Sequence, residues 1–276
     1  MVGLSGHSTD AVRQSKAYFC PAPCISHRNT KNNLENYQTM KKTLLIMAAL
    51  CTAGLGLRAQ DAEPASSYSV TVDFTYGNKY VFRGVQLAKD TLFPSVEVSA
   101  GPITAGVWSA QPIVDNIDNE IDFYVGYGAD LSDSWAIDVG ACLYYYPELD
   151  TSGGADSSTF EPYVGVSGSV GGFSPGAYLY YDTTLEVITI EGSVGYSVAL
   201  EPAGASLDFS AALGRADPDV GSSMTYYSLG VAVPFAISDS GTITVGLNYT
   251  HNDLPGGDGY GKNSNFYGTI GVAIGF

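Results

Sequence analysis

Nine carboxylates fall on alternate positions of otherwise apolar segments: Asp73, Glu97, Glu120, Asp122, Asp138, Glu161, Asp182, Glu191 and Asp208. Only Lys79 and Arg83 share that register as clear cations, two alternation steps apart. Carboxylates ringing a water-filled path favour cations and repel anions, so this pattern is the chemistry of a cation-leaning pore. Lys79 and Arg83 are placed to pair across the interior with several of the acids. The sequence leaves open whether such pairs tune a solute path or only neutralise charge in a packed interior. Tyr124, Tyr144, Tyr146, Tyr163, Tyr178, Tyr180 and Tyr267 occupy the same register. They form either a track suited to sugars and other ring-bearing ligands or simple interior packing.

Other residue types point to chemistry less strongly. Acyl transfer needs a nucleophile, a base and an orienting group. His251 is the one histidine beyond residue 59, beside Asn252 and Asp253, and neither Ser264 nor Ser228 carries a nucleophile motif, so no enzyme is expected. The glycine-rich run Gly256 to Gly261 lacks the helix that a phosphate loop requires and reads as a flexible outer loop. Acidic loops at Asp115 and Asp118, Asp150 and Asp156, and Asp217 and Asp219 lack the spacing of a calcium loop. Cys20 and Cys24 have no second ligand pair nearby, and Cys142 fills space beside Tyr144. No metal and no cofactor is expected.

The elements that position these groups are strands. From Ser67 to Phe276 apolar residues alternate with small or polar ones, as at Phe266, Ile270, Val272, Ile274 and Phe276 against Tyr267, Thr269, Gly271, Ala273 and Gly275. Twelve such segments are expected, at 68–83, 92–100, 103–111, 120–129, 135–146, 159–170, 173–182, 187–200, 205–214, 225–237, 242–250 and 264–276. Connections after even-numbered segments are short and those after odd-numbered ones mostly long and polar, which describes an all-β, transmembrane up-and-down antiparallel barrel with both termini periplasmic. A soluble β-sandwich shows the same alternation. Three features favour the membrane. Segments of about ten residues fit a tilted crossing of the hydrocarbon. Aromatics such as Tyr68, Phe82, Trp135, Tyr145, Phe160, Phe173, Tyr181, Tyr227, Phe235, Tyr249, Phe266 and Phe276 gather near segment ends of the apolar face, as girdles do. The opposite face carries glycine, serine and carboxylate but few lysines. Twelve strands lie between a filled eight-stranded interior and a wide channel, so the expected pore is narrow.

The chain has 276 residues, 12 basic and 28 acidic, for a net charge of −16. Such acidity repels nucleic-acid phosphate and excludes that partner. Met40 to Ala59 reads as a cleavable signal peptide, with Lys41 and Lys42 ahead of an apolar stretch too short to span a bilayer. Residues 1–39 then form an upstream extension outside the native protein, and 60–276 the barrel. Residues 1–59 hold seven of the basic and two of the acidic residues, so the remainder carries five against 26, a net of −21. One cysteine, Cys142, remains, so the barrel has no internal disulfide.

Gly77-Asn78-Lys79-Tyr80-Val81-Phe82-Arg83-Gly84, Gly106-Val107-Trp108 and the run Asn119 to Tyr127 resemble the TorF family of bacterial outer-membrane porins over the first third of the barrel. After Gly84 the chain continues Val85-Gln86-Leu87 where that family is expected to carry a serine-containing polar run, so no family substrate is carried over. The last strand, ending in Phe276, resembles the signal by which outer-membrane barrels are handed to their assembly machinery. The expected function is passive diffusion of small cationic or neutral solutes through an integral barrel in outer-membrane lipid. A plugged structural or adhesive barrel acting through its loops is the alternative. Oligomeric state is left open.

Overall fold

The protein is represented by a computed structural model that describes residues 68–114, 117–200 and 205–276. The expected extension, the signal peptide, Cys20, Cys24, Asp115 and the turn at 201–204 lie outside the described residues. Twelve strands follow in order: β1 (Tyr68–Phe82), β2 (Val85–Ala100), β3 (Ile103–Pro112), β4 (Glu120–Asp130), β5 (Trp135–Tyr145), β6 (Ser158–Gly168), β7 (Phe173–Asp182), β8 (Val187–Leu200), β9 (Ala205–Pro218), β10 (Met224–Ala236), β11 (Gly241–Asn252) and β12 (Ser264–Gly275). Each pairs antiparallel with its sequence neighbours, and β1 pairs with β12 to close the barrel. Phe276 completes that closure, its N–H donating to the Val70 carbonyl at 2.8 Å while the Val70 N–H donates to its own carbonyl at 3.1 Å. Closure leaves no open sheet edge to pair with other chains.

The alternation sorts side chains between lipid and interior. Val96, Phe123, Val125, Val164, Leu179, Ile190, Leu213, Leu229, Leu247 and Ile270 all face outward and stay exposed. A water-soluble protein rarely exposes an apolar patch of this extent, whereas a membrane barrel requires one. Aromatics edge the belt. Tyr68, Tyr127, Trp135, Phe173, Tyr196 and Phe235 lie toward the end with the termini, and Tyr145, Phe160, Tyr181, Tyr227 and Phe266 toward the other.

Most of the described connections at the terminal end are short, including the glycine turn Gly101-Pro102. At the opposite end, termed here the loop end, residues 113–119, 146–157 and 253–263 form longer connections. The first connection at that end differs from the expectation. Strand β2 begins at Val85 rather than 92, so β1 and β2 are joined only by Arg83 and Gly84. Both have positive φ, 44° and 81°, the type I′ combination whose twist matches a two-residue hairpin. Strand β9 is also longer than expected and runs to Pro218.

The tip of this hairpin leaves the barrel wall. Strand β1 stays in register with β12 only from Thr71 to Gly77, and β2 joins β3 only from Thr91 onward. Residues 78–90 pair with each other instead, through Lys79 with Lys89, Tyr80 with Ala88 and Phe82 with Val85, with a bulge between Tyr80 and Val81. Their side chains are buried in the loop-end half of the lumen: Tyr80, Phe82, Val85, Leu87 and Ala88 join Tyr144, Tyr163, Tyr178, Tyr180, Met224 and Tyr226 in one cluster. Phe82, expected in the lipid-facing girdle, therefore lies inside, 7% exposed. The alternation that places it outside holds only while the strand remains in the wall.

Two residues mark where the chain departs and returns. The Asn78 carboxamide oxygen accepts the Gly268 N–H at 2.9 Å, replacing a rung that β1 no longer supplies to β12. Asp90 adopts φ 27°, and its carbonyl accepts the Ile113 N–H at 2.9 Å. Asp tolerates such a conformation better than most residues, which fits it to the second bend.

Candidate functional site

The lumen has two tiers. In the loop-end half the hairpin meets the opposite wall. Arg83, at the tip, forms a bidentate pair with Glu161 of β6, Nη1 to Oε2 at 2.9 Å and Nη2 to Oε1 at 3.0 Å. Both side chains are nearly dry, at 5% and 2% exposure. The guanidinium also lies 4.7 Å from the Phe82 ring centroid and 4.6 Å from that of Tyr180. A planar cation between aromatic faces, with its fork on a carboxylate, is a site that lysine cannot reproduce.

Tyrosine hydroxyls serve most of the other acids. Tyr144 donates to Glu161 at 3.1 Å, and Tyr80 and Tyr146 donate to the two oxygens of Glu120 at 3.0 and 3.3 Å. Tyr226 donates to Glu191 at 2.6 Å. Asp182 accepts the backbone N–H groups of Thr184 and Leu185 at 2.9 and 2.8 Å, holding the β7–β8 turn. Asp122 is wholly buried in the same tier. Charge-assisted bonds of this kind let carboxylates persist where water is scarce.

The terminal-end tier is wetter. Asp73, Glu97, Asp138 and Asp208 are all half-buried. Thr75 donates to Asp73 at 2.9 Å, Tyr124 to Glu97 at 3.1 Å, Tyr163 to Asp138 at 3.3 Å and Ser197 to Asp208 at 2.5 Å. Gly195 and Gly246 line this half together with Ser193, Ser197 and Ser210, around a space termed the vestibule, while Gly126 and Gly140 make room for the Tyr163 hydroxyl. Lys79 stands where the tiers meet and donates to the Asn265 carboxamide oxygen at 3.0 Å, whereas Arg83 is the inward cation that forms an ion pair at hydrogen-bond distance among the described residues.

The tyrosines do not form an open track. Tyr144, Tyr146, Tyr163, Tyr178 and Tyr180 are buried, the last three within 6.2 Å of one another by ring centroid, while Tyr124 and Tyr267 are half-buried. Their size is accommodated by missing side chains opposite: a Cβ on Gly165 would overlap the Tyr178 ring, and one on Gly214 the Tyr226 ring. Tyr80, Phe93, Trp108, Met224 and Tyr226 are further interior residues that the sequence reading did not single out. Tyr226 shares the parity of Ser228 and Gly230, which is the signal that marks it. Tyr80 has no such signal because the hairpin breaks the alternation.

The β11–β12 connection brackets the hairpin rather than waving free. Asp258 is 6% exposed and accepts four N–H groups: from Gln86 of the hairpin at 3.3 Å, from the Asn265 side chain at 3.0 Å, and from Tyr260 and Lys262 at 2.9 and 3.0 Å. Asn252 donates its carboxamide N–H to the Gly84 carbonyl at 2.7 Å. On the outer surface His251 Nδ1 and Ser264 Oγ are 2.9 Å apart. Among the described residues no carboxylate hydrogen-bonds that imidazole, and Asp253 instead accepts the Thr225 N–H at 2.6 Å. Cys142 is buried, and among the described residues no cluster of three or more metal-ligating side chains occurs.

Residues 61–266 match the family described as "Bacterial protein of unknown function (Gcw_chp)". The chain belongs to that family. The Gcw_chp chain finds no match among curated proteins. Its fold is similar to that of a NanC porin, with 15% identity, 74% of this chain and 98% of that one covered, and a TM-score of 0.51. It is also similar to a KdgM porin in complex with disordered oligogalacturonate, with 11% identity, coverage of 75% and 99%, and a TM-score of 0.50. At these identities the likeness establishes the fold of this Gcw_chp protein, a closed antiparallel barrel similar to those of the two porins.

Proposed function

We propose that the protein is an outer-membrane channel for passive diffusion of small solutes, cation-leaning, with the hairpin at residues 78–90 as its constriction, and that its relatives include the TorF porins. The observation that carries this reading is the contrast between tiers. Four half-buried carboxylates, Asp73, Glu97, Asp138 and Asp208, line a glycine- and serine-rich vestibule, and the material closing the other half is a two-bend hairpin rather than wall side chains alone. With the termini on the periplasmic side, the vestibule opens to the periplasm and the hairpin lies beneath the outer loops. Phe276 and its alternating strand serve as the signal to the assembly machinery, and the expected solutes are cationic or neutral.

The packed loop-end tier supports the second reading, a plugged structural or adhesive barrel acting through its loops. Planar-bilayer recordings separate the two. Discrete conductance steps with a reversal potential favouring cations in a salt gradient support the channel. A silent protein favours the plugged barrel, and anion preference refutes the role given to the acids. Among the described residues no carboxylate orients the Ser264–His251 contact, so a non-enzymatic barrel is the reading preferred; lipid hydrolysis abolished by His251→Ala would reverse it.

A further inference from the structure

Where the hairpin root meets the vestibule there is a cavity of about 270 Å³. One wall is aromatic. Phe93 and Trp108 stack at 5.3 Å with planes 16° apart, and Tyr80 meets Phe93 edge-on at 5.4 Å. Asp73, Thr75, Lys79, Tyr267 and Thr269 bring polar groups to the rest of the lining, together with Val81 and Phe82. The volume falls just below the roughly 300–1,000 Å³ typical of ligand sites, room for one ring rather than a chain.

The geometry points to a binding subsite for a single neutral sugar ring. This assignment rests on the reading of the lumen as a path for solutes. An aromatic shelf takes the C–H face of a pyranose, while a carboxylate and an ammonium elsewhere in the lining ask for a partner that both donates and accepts. Hydroxyls do both. Lys79 spends one of its three N–H groups on Asn265, and among the described residues Asp73 accepts one hydrogen bond, from Thr75, so each retains capacity for a ligand. A net charge on the ligand is disfavoured, because whichever sign it carries meets a like charge on one side of the cavity. Half-burial of Asp73 and Lys79 keeps the cavity in contact with the vestibule, so a solute arriving from the terminal end reaches the shelf before the hairpin tip at Arg83.

The chain has two tryptophans, Trp108 on the shelf and Trp135 on the outer surface. In Trp135→Phe, emission therefore reports on Trp108 alone. Titrating this variant, folded in detergent micelles, with glucose or galactose is expected to change Trp108 emission saturably, with sorbitol inert and glucuronate and glucosamine each weaker by at least several-fold. Phe93→Ala is expected to abolish saturation, and Asp73→Asn, which leaves the shelf intact, to weaken it several-fold. A flat response to both hexoses, an equal response to sorbitol, tighter binding of either charged sugar, or no effect of Asp73→Asn would overturn the assignment. The titration needs no ion flow. Saturable binding by a protein that conducts nothing sinks the channel and keeps the subsite, and a conducting protein with a flat titration does the reverse.

Discussion

Arg83 and Glu161, 78 residues apart in the chain, meet fork to fork in the dry upper lumen at 2.9 and 3.0 Å. Removing either partner of a buried pair costs about 3–5 kcal/mol, because the other charge is stranded. Arg83→Ala and Glu161→Gln are each expected to lower barrel stability by an amount of that order in urea unfolding from micelles. The double variant is expected to recover part of the loss. Strict additivity of the two single effects would show that the pair is not coupled.

The same substitution tests the hairpin as the constriction. Single-channel conductance of Arg83→Ala is expected to exceed that of the parent, since the tip then loses its ion pair and keeps the hydrogen bonds to Asn252 and Asp258 and its packing. Equal conductance in the two proteins would locate the narrowest point elsewhere.

Cys142 provides an independent probe of the same opening. It is 1% exposed and pairs in register with Glu161. In a chain with Cys20, Cys24 and Cys51 replaced by serine, a charged methanethiosulfonate is expected to label it slowly in the parent and at least tenfold faster with Arg83→Ala. Rapid labelling of the parent would argue against a closed upper tier.

The turn is sensitive to a single methyl group. At Gly84, φ is 81° and a Cβ would fall 2.9 Å from Tyr226 Cβ and 3.1 Å from the His251 carbonyl. Gly84→Ala is expected to cost about 1–3 kcal/mol, from left-handed strain and crowding together. Faster hydrogen exchange across residues 85–90, with the β11–β12 rungs unchanged, is the accompanying sign.

On the outer surface Leu229 is 52% exposed near the middle of β10. Leu229→Arg is expected to cost about 2–4 kcal/mol when the barrel unfolds from lipid bilayers. A neutral result would mean that this face does not meet hydrocarbon.

Most of the architecture was legible because a strand in a closed wall has a strict period of two. Phe266, Ile270 and the β12 residues between them show that period in the sequence and keep it in the fold. Residues 78–90 were not legible for the same reason. A hairpin surrounded by protein on every side buries both its faces, so Tyr80 and Lys79, of opposite parity, both end inside, and Phe82 follows. Arg83-Gly84 is a local signal for a tight turn, but nothing in its neighbours states that the turn points into the barrel. The partners of the acids were equally hidden. Glu120 meets Tyr80 and Tyr146 from different strands, and only closure of the sheet brings those three together.

Beyond residue 59 the chain has five basic residues, and three of them, Lys79, Arg83 and Lys89, lie on the 13-residue inward segment. The hairpin is thus a tethered counter-ion, covalently attached to the polyanion it neutralises. Because the Arg83–Glu161 pair is nearly dry, dissolved salt screens it far less than it would an exposed pair. The Glu161 carboxylate therefore needs no dissolved cation to balance it, because the chain delivers one to it.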